Sequence, residues 1–301
     1  MASRAAPSQA GGSRGDGSPR TAARGTGRQG GVGRQSDAKE VPGRRLKSGT
    51  DELGGDQVEG RQAVLELLRA GRRAVHQILV ADGTDADGLT AEIVALAERR
   101  GVTVRSVARG RIDAVAGTEA PQGVVASADP VQPVGLDDLA RRPGPGGTPP
   151  LIVVLDGITD PHNLGAIMRS AVCAGASGAV IGRHRAARLT PAAVKAAAGA
   201  VEHLPVAVAV GIPAALRELA AASVWTVGLD ADADAGLWDL RVASEGVALI
   251  LGAEGRGLSR LTRDVCELTV SIPLIGPLGS LNVSAAAALA CFEVARGRAG
   301  A

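Results

Sequence analysis

A chain of 301 residues, 45% of them hydrophobic, has room for two folded units with real cores. It offers no run of about 18 apolar residues to span a bilayer, and its basic N-terminus shows no apolar stretch like that of a signal peptide, so neither membrane insertion nor export is expected and a cytoplasmic protein is. One Phe, two Trp and no Tyr exclude base recognition by aromatic stacking, leaving charge and backbone contacts for any RNA partner.

The net charge of +2 hides an asymmetry. Residues 1–50 hold ten Lys/Arg against three Asp/Glu, and the remainder 23 against 28. With eleven Gly and only Met1, Val32, Val41 and Leu46 as large aliphatic residues in those 50 positions, the segment 1–55 is expected to form a disordered basic tail, either solvated filler or an arm for phosphate backbones. Cys173, Cys266 and Cys291 lie far apart without C-x-x-C spacing, which predicts buried thiols rather than disulfides or a metal site.

After the tail, "VEGRQAVLELLRAG" spaces Val64, Leu67 and Leu68 on one face of a helix that Gly71 stops. "HQILVA" then reads as a strand, residues 85–101 as a helix, and "VTVRSV" and "QGVVASA" as strands, giving a small α/β domain over 56–128. Residues 129–150, with six Pro and four Gly, read as a linker. Beyond it, from 151 to 301, strand, loop and helix repeat: "LIVVLD" and a helix from about Leu164, "GAVIG" and "TPAAVKAAAGA", "PVAVAV" and "PAALRELAAA", "VWTVGLD", "VALILG" and "LSRLTRDVC", "LTVSIPL" and a final helix. These strands are continuous apolar runs, as a mostly parallel sheet covered by helices on both faces requires.

Ligands of such sheets collect outside the carboxyl ends of the strands, and three polar clusters fall there. "DGITDPHNLGAIMRSA" groups Asp156, Asp160, His162 and Asn163 before a helix, with Arg169 six residues further on a face that the sheet is expected to cover, where an arginine needs an anionic partner. A capped turn alone would explain Asp160, Pro161 and Asn163. "GAEGRGLSRL" supplies Gly252, Glu254, Gly255 and Gly257, suited to close approach of backbone to a ligand. "SIPLIGPLGSLNVS" brings Ser280, Asn282 and Ser284 to the mouth of the last helix, where a single cap would suffice. Other signatures fail: "GTGRQG" has no strand before it, the four His show no metal-ligand spacing, and no G-x-S-x-G elbow exposes a serine.

These clusters, as "DPHNLGAIMRSA", "LILGAEGRGLSRL" and "SIPLIGPLGSLNVSAAAALACFEVAR", resemble the three ordered motifs of the SPOUT-superfamily RNA ribose 2′-O-methyltransferases of the TrmH branch. "VEGRQAVLELL" and "PQGVVA" resemble the L30e-like substrate-binding domain of the RlmB type, which modifies a guanosine of 23S rRNA; Pro121 stands where that type carries His. The resemblance spans residues 58–297. It implies an α/β catalytic domain with a deep trefoil knot, S-adenosyl-L-methionine as cofactor, and a homodimer with its site at the interface. It implies 23S rRNA or a ribosomal precursor as partner, with neither DNA, membrane nor metal involved. By the same resemblance Arg169 is the favoured catalytic residue, and Asn163, Glu254, Ser280 and Asn282 position the ribose and its phosphate or support the loops. Gly252, Ile272 and Leu281 would cradle the cofactor, joined by Ala253, Glu254, Gly255, Pro273, Leu274, Asn282 and Ser284. Alternatives within the class are a tRNA ribose target or a resistance-type rRNA methylation. Outside it stand a non-catalytic ribosome-assembly factor and a nucleotide-dependent oxidoreductase, which lacks its fingerprint.

Overall fold

The computed structural model describes residues 53–84 and 88–299. The expected basic tail lies outside the described residues as far as residue 52. Its last expected residues, 53–55, belong to the fold instead: Leu53 is fully buried, and its carbonyl accepts from the Leu189 N–H at 2.9 Å.

A four-stranded sheet comes first. It is built from β1 (Gln57–Glu59), β2 (Val75–Ala81), β3 (Val104–Val107) and β4 (Val124–Ala128), in the order β1-β4-β2-β3, and only β2 and β3 pair in parallel. Helix α1 (Arg61–Ala70) buries Val64, Leu65, Leu67 and Leu68 and stops at Gly71, whose left-handed backbone (φ 57°) lets its N–H reach the Leu67 carbonyl. Helices α2 (Leu89–Arg99) and α3 (Arg109–Val115) complete this part. The sequence pattern missed β1 and α3, both too short to show a period.

Residues 129–150, read as a linker, contain helix α4 (Leu136–Arg141). Leu139 and Ala140 are buried in the core of the second sheet, so an apolar i, i+3, i+4 trio outweighs the surrounding Pro and Gly.

That second sheet has six strands: β5 (Leu151–Asp156), β6 (Gly178–Gly182), β7 (Val206–Ala209), β8 (Trp225–Leu229), β9 (Val247–Gly252) and β10 (Leu268–Val270). They run in the order β10-β8-β9-β5-β6-β7, every pair parallel. Their apolar runs divide by alternation. Leu151, Val153 and Leu155 of β5 join Val247, Leu249 and Leu251 of β9 in one core; Ile152 and Val154 join Ala248 and Ile250 in the other. The first core is covered by α5 (Pro161–Cys173), α6 (Pro191–Ala196) and α9 (Val283–Ala299), the second by α4 and α7 (Ile212–Ala221). Helix α8 (Arg260–Arg263) is a single turn where the pattern suggested nine residues, and β10 stops at Val270 where "LTVSIPL" suggested seven.

The two sheets share a core. Val58, Leu67 and Leu68 belong to the same apolar cluster as Leu164, Val194 and Val201. At their joint the buried Arg73 forks onto buried Glu202, Nη2 to Oε1 at 2.6 Å and Nε to Oε2 at 3.0 Å, and donates to the carbonyls of Gly55 and Asp129.

Helix α5 starts at Pro161, three residues before Leu164, because Asp160 caps it: its carboxylate accepts from the N–H groups of His162 (3.1 Å) and Asn163 (3.3 Å), with Pro at the first helical position. Asp160→Ala is expected to cost about 1 kcal/mol, read from urea unfolding.

Candidate active site

The chain turns back at the middle of the large sheet. From β5 it winds outward through β6 and β7, then returns to β8 and β9 on the other side of β5. The carboxyl ends of β5 and β9, Asp156 and Gly252, lie side by side in register at this switch point. Asp156 accepts from the Ser259 N–H at 2.9 Å, which fixes the loop after β9 to the end of β5.

Three segments far apart in sequence are knit together here. Asn163, buried on the first turn of α5, donates from Nδ2 to Glu254 Oε1 at 2.8 Å. Asn282 Nδ2 donates to the same oxygen at 2.9 Å and to Asn163 Oδ1 at 3.1 Å. Its other amide atom, Oδ1, accepts from the Ser284 N–H (2.8 Å) and hydroxyl (2.5 Å) and so caps α9. The polar mouth of α9 is thus explained: one face of Asn282 starts the helix and the other closes the ring of loops. Glu254→Gln keeps a carbonyl that can accept both amides, so it should bind cofactor within about threefold of wild type in calorimetry. Glu254→Ala leaves two donors unmatched, at ~1 kcal/mol each, and should bind about 30-fold more weakly.

Beside this ring lies a cleft of about 580 Å³, within the ~300–1,000 Å³ common for small-molecule sites. Gly252, Ala253, Glu254, Gly255, Ser280, Leu281 and Asn282 line it, as the sequence suggested, together with Leu229, Ala231, Gly279 and Ala286, which it did not. A smaller hollow of about 140 Å³ shares Leu229, Ala231, Gly279, Ser280, Leu281 and Ala286 with it, and brings in Ile272, Leu274 and Asp230. Pro273 is exposed and lines neither cavity, and Ser284 acts through Asn282.

Asp230 was missed. It follows β8, is buried, and is ion-paired with Arg263 while its Oδ1 accepts from the Asp232 N–H at 3.0 Å. An acidic residue directly after the apolar run "VWTVGL" at the ligand-bearing edge was the available signal.

Arg169 departs from expectation. Helix α5 buries Leu164, Ile167, Met168 and Ala171, and Arg169 projects from the opposite side. It is exposed, lines neither cavity, and has no hydrogen bond or ion pair among the described residues. Six residues beyond Asn163, it sits ~9 Å along the axis and about 120° around it. The expected anionic partner is absent because the helix turns that residue toward solvent rather than toward the sheet.

Cys266 lies beneath the site. Burial, then the nearby carboxylates of Asp156, Asp230 and Glu267, push its thiol up to about 11; burial pushes Cys291 up to about 12. Neither is a thiolate at neutral pH, so neither serves as a nucleophile there. Cys173 is exposed and Cys266 half-buried, so of the three thiols expected to be buried only Cys291 is fully so.

The cleft suits a nucleoside carrying a positive charge. Gly252, Gly255, Gly257, Gly279, Ala231 and Ala286 give flat walls, the Ser280 hydroxyl is without a protein partner among the described residues, and the carboxylates of Glu254 and Asp230 stand at its two parts. Fold and cleft together define an α/β enzyme with a nucleoside-type site at the switch point of a parallel sheet. Residues 150–292 match the SpoU rRNA Methylase family, and residues 57–134 match the RNA 2′-O ribose methyltransferase substrate-binding family. An uncharacterized tRNA/rRNA methyltransferase of Mycolicibacterium vanbaalenii is 39% identical over 87% of this chain and 81% of its own. The protein named YacO of Bacillus subtilis, described as a TrmH-family tRNA/rRNA methyltransferase, is 37% identical over 81% of this chain and 96% of its own. The crystal structure of the SpoU methyltransferase AviRb from Streptomyces viridochromogenes with AdoMet superimposes with a TM-score of 0.65 at 27% identity, covering 81% of this chain and 90% of that one. The chain belongs to the SpoU, or TrmH, methyltransferase family, and S-adenosyl-L-methionine is its cofactor.

Proposed function

We propose that the protein methylates the ribose 2′-oxygen of an RNA nucleotide, with a guanosine of 23S rRNA as its target, in the cytoplasm. The observation that carries this reading is the ring formed by Asn163, Glu254 and Asn282, which holds three loops around a glycine-walled cleft at the sheet's switch point. No helix among the described residues is long and apolar enough to cross a membrane. The N-terminal sheet, proposed as an L30e-like domain, has an open cleft of about 650 Å³ lined by Gln122 and by Arg61 and Arg109, and the two guanidinium groups suit an RNA backbone.

Bound in the central cleft, S-adenosyl-L-methionine supplies an electrophilic methyl group. Backbone groups around Gly252, Ile272 and Leu281 would hold it, the glycines leaving the main chain open to close approach. The remaining task is to align the ribose and stabilise its oxygen as it loses a proton. A guanidinium hardly gives up its own proton, so Arg169 serves by gripping phosphate and stabilising the developing alkoxide, and the 2′-OH proton passes to solvent as the O–C bond forms and the S–C bond breaks.

Arg169 is turned away from the cleft of its own chain, which supports a homodimer in which each arginine serves the partner's cleft. Leu289 and Phe292, three residues apart on α9, and Ile275 and Leu278 in the preceding loop are exposed apolar side chains that a second copy would cover. A trefoil knot through the loops after β9 and β10 fits the packing of α9 against α5 and β9, with Gly297 of α9 against Ala243.

Incubating purified protein with labelled cofactor and separate 23S rRNA, 16S rRNA and tRNA transcripts tests the reading. Label in 23S rRNA, mapped to one 2′-O-methylguanosine, supports it; label in tRNA alone moves the target, and none in any transcript removes the activity.

A further inference from the structure

We propose that the loop between β6 and α6, residues 183–188, is a phosphate clamp that holds the RNA backbone at the carboxyl edge of the large sheet. The inference rests on the ribose-methyltransferase reading and adds which residues outside the three motif clusters hold the substrate.

The loop leaves the carboxyl end of β6, the neighbour of β5 in the sheet, so it opens on the same edge as the catalytic loops. It is tied there by main chain: the Ala187 N–H donates to the Ile158 carbonyl at 2.8 Å, joining it to the loop that leads into α5. On its other side Leu189 pairs with Gly54 and donates to Leu53, so the loop also touches the segment entering the N-terminal sheet. It therefore stands between the catalytic edge and the substrate-binding part.

Charge in this region has one sign. From Asp160 to Glu202 the sequence holds no acidic residue between them, while Arg169, Arg183, Arg185, Arg188, Lys195, His162 and His184 fall within it. The charged side chains are used differently. Arg188 is turned into the loop, where its guanidinium donates to the carbonyls of Gly182 (3.2 Å) and Arg183 and fixes the turn. Lys195 donates to the Ala120 carbonyl at 2.5 Å and so holds the joint to the N-terminal sheet. His184 and Arg185, at the tip, are exposed and have no hydrogen bond or ion pair among the described residues. Arg185 is also held at φ 52°, a left-handed backbone that a β-carbon disfavours. A glycine would relieve it, yet an arginine stands there. A turn fixed by Arg188 that presents a guanidinium to solvent, within a stretch of sequence that carries no acidic residue, suits an oxyanion, and RNA is the polyanion this edge meets. Arg188 is then a positioning residue, and Arg185 and His184 make the contact.

Arg185→Gly suits the left-handed backbone and removes the whole exposed side chain, which keeps folding out of the result. On whichever transcript the wild type methylates, 23S rRNA or tRNA, Arg185→Gly should raise KM for RNA about tenfold with kcat within about twofold. The slope of log binding constant against log salt should become shallower by ~1, and by more in His184→Ala/Arg185→Gly. Affinity for S-adenosylmethionine should not move, and Arg185→Lys should recover part of the RNA affinity. A double variant with wild-type KM and salt slope overturns the clamp alone. A wild type that methylates no RNA overturns the parent reading and the clamp with it.

Discussion

Arg169→Ala is expected to lower kcat by a factor of ~10²–10³, the usual loss when one donor aimed at a developing oxyanion is removed. Calorimetry should find the affinity for S-adenosylmethionine within about twofold of wild type, because the side chain lines neither cavity of the cleft. The melting temperature should hold too, since the residue is exposed on α5 and alanine favours a helix. Arg169→Lys should recover little, as an ammonium cannot grip phosphate with two parallel bonds. Turnover near that of wild type in the alanine variant sinks the assignment. Co-expression separates the two possible arrangements of the site. When Arg169→Ala is produced together with a cofactor-cleft variant, mixed dimers regain activity only if an arginine reaches into the partner's cleft, for then one of the two sites has both parts intact. If each arginine serves its own chain, every site in the mixture carries one defect.

The sheet was legible because its physics is local. A strand covered on both faces must be apolar at successive positions, and "LIVVLD" and "VALILG" are, with their side chains divided between two cores. The loops at the carboxyl ends followed from the general rule for such sheets. What could not be read was pairing across distance. Nothing in the spacing shows that Asn163, Glu254 and Asn282, separated by 91 and 28 residues, share one oxygen of the glutamate. Composition misled at 129–150, where the Pro and Gly content outvoted the short apolar face of α4. Arg169 was misplaced for a related reason: its apolar neighbours in sequence were taken for neighbours in space. On a helix the residues beside it point elsewhere, and those that face the sheet lie at i−5, i−2, i−1 and i+2. The resemblance to methyltransferases carried site residues that periodicity alone would have left as caps and turns.

Gly252→Ala should have the next largest effect, and it tests the cleft itself. At the end of β9 the chain folds back so closely that a β-carbon on Gly252 would lie 2.1 Å from the carbonyl carbon of Gly257 and 2.3 Å from its oxygen. These are main-chain atoms of a turn closed by two hydrogen bonds between Ala253 and Gly257, at 2.8 and 3.0 Å, so no side chain can swing aside. The turn must move as a body, at a cost of ~1–3 kcal/mol in stability. Glu254 rides on that turn, and its displacement pulls the shared oxygen away from Asn163 and Asn282, opening the ring that holds α9. Cofactor affinity should fall about 30- to 100-fold, ~2–3 kcal/mol at 1.4 kcal/mol per factor of ten. RNA binding in the absence of cofactor should change little, since Arg169 and the β6–α6 loop stand on other segments. An alanine variant that binds S-adenosylmethionine as wild type does would mean that the ligand sits elsewhere than against the end of β9.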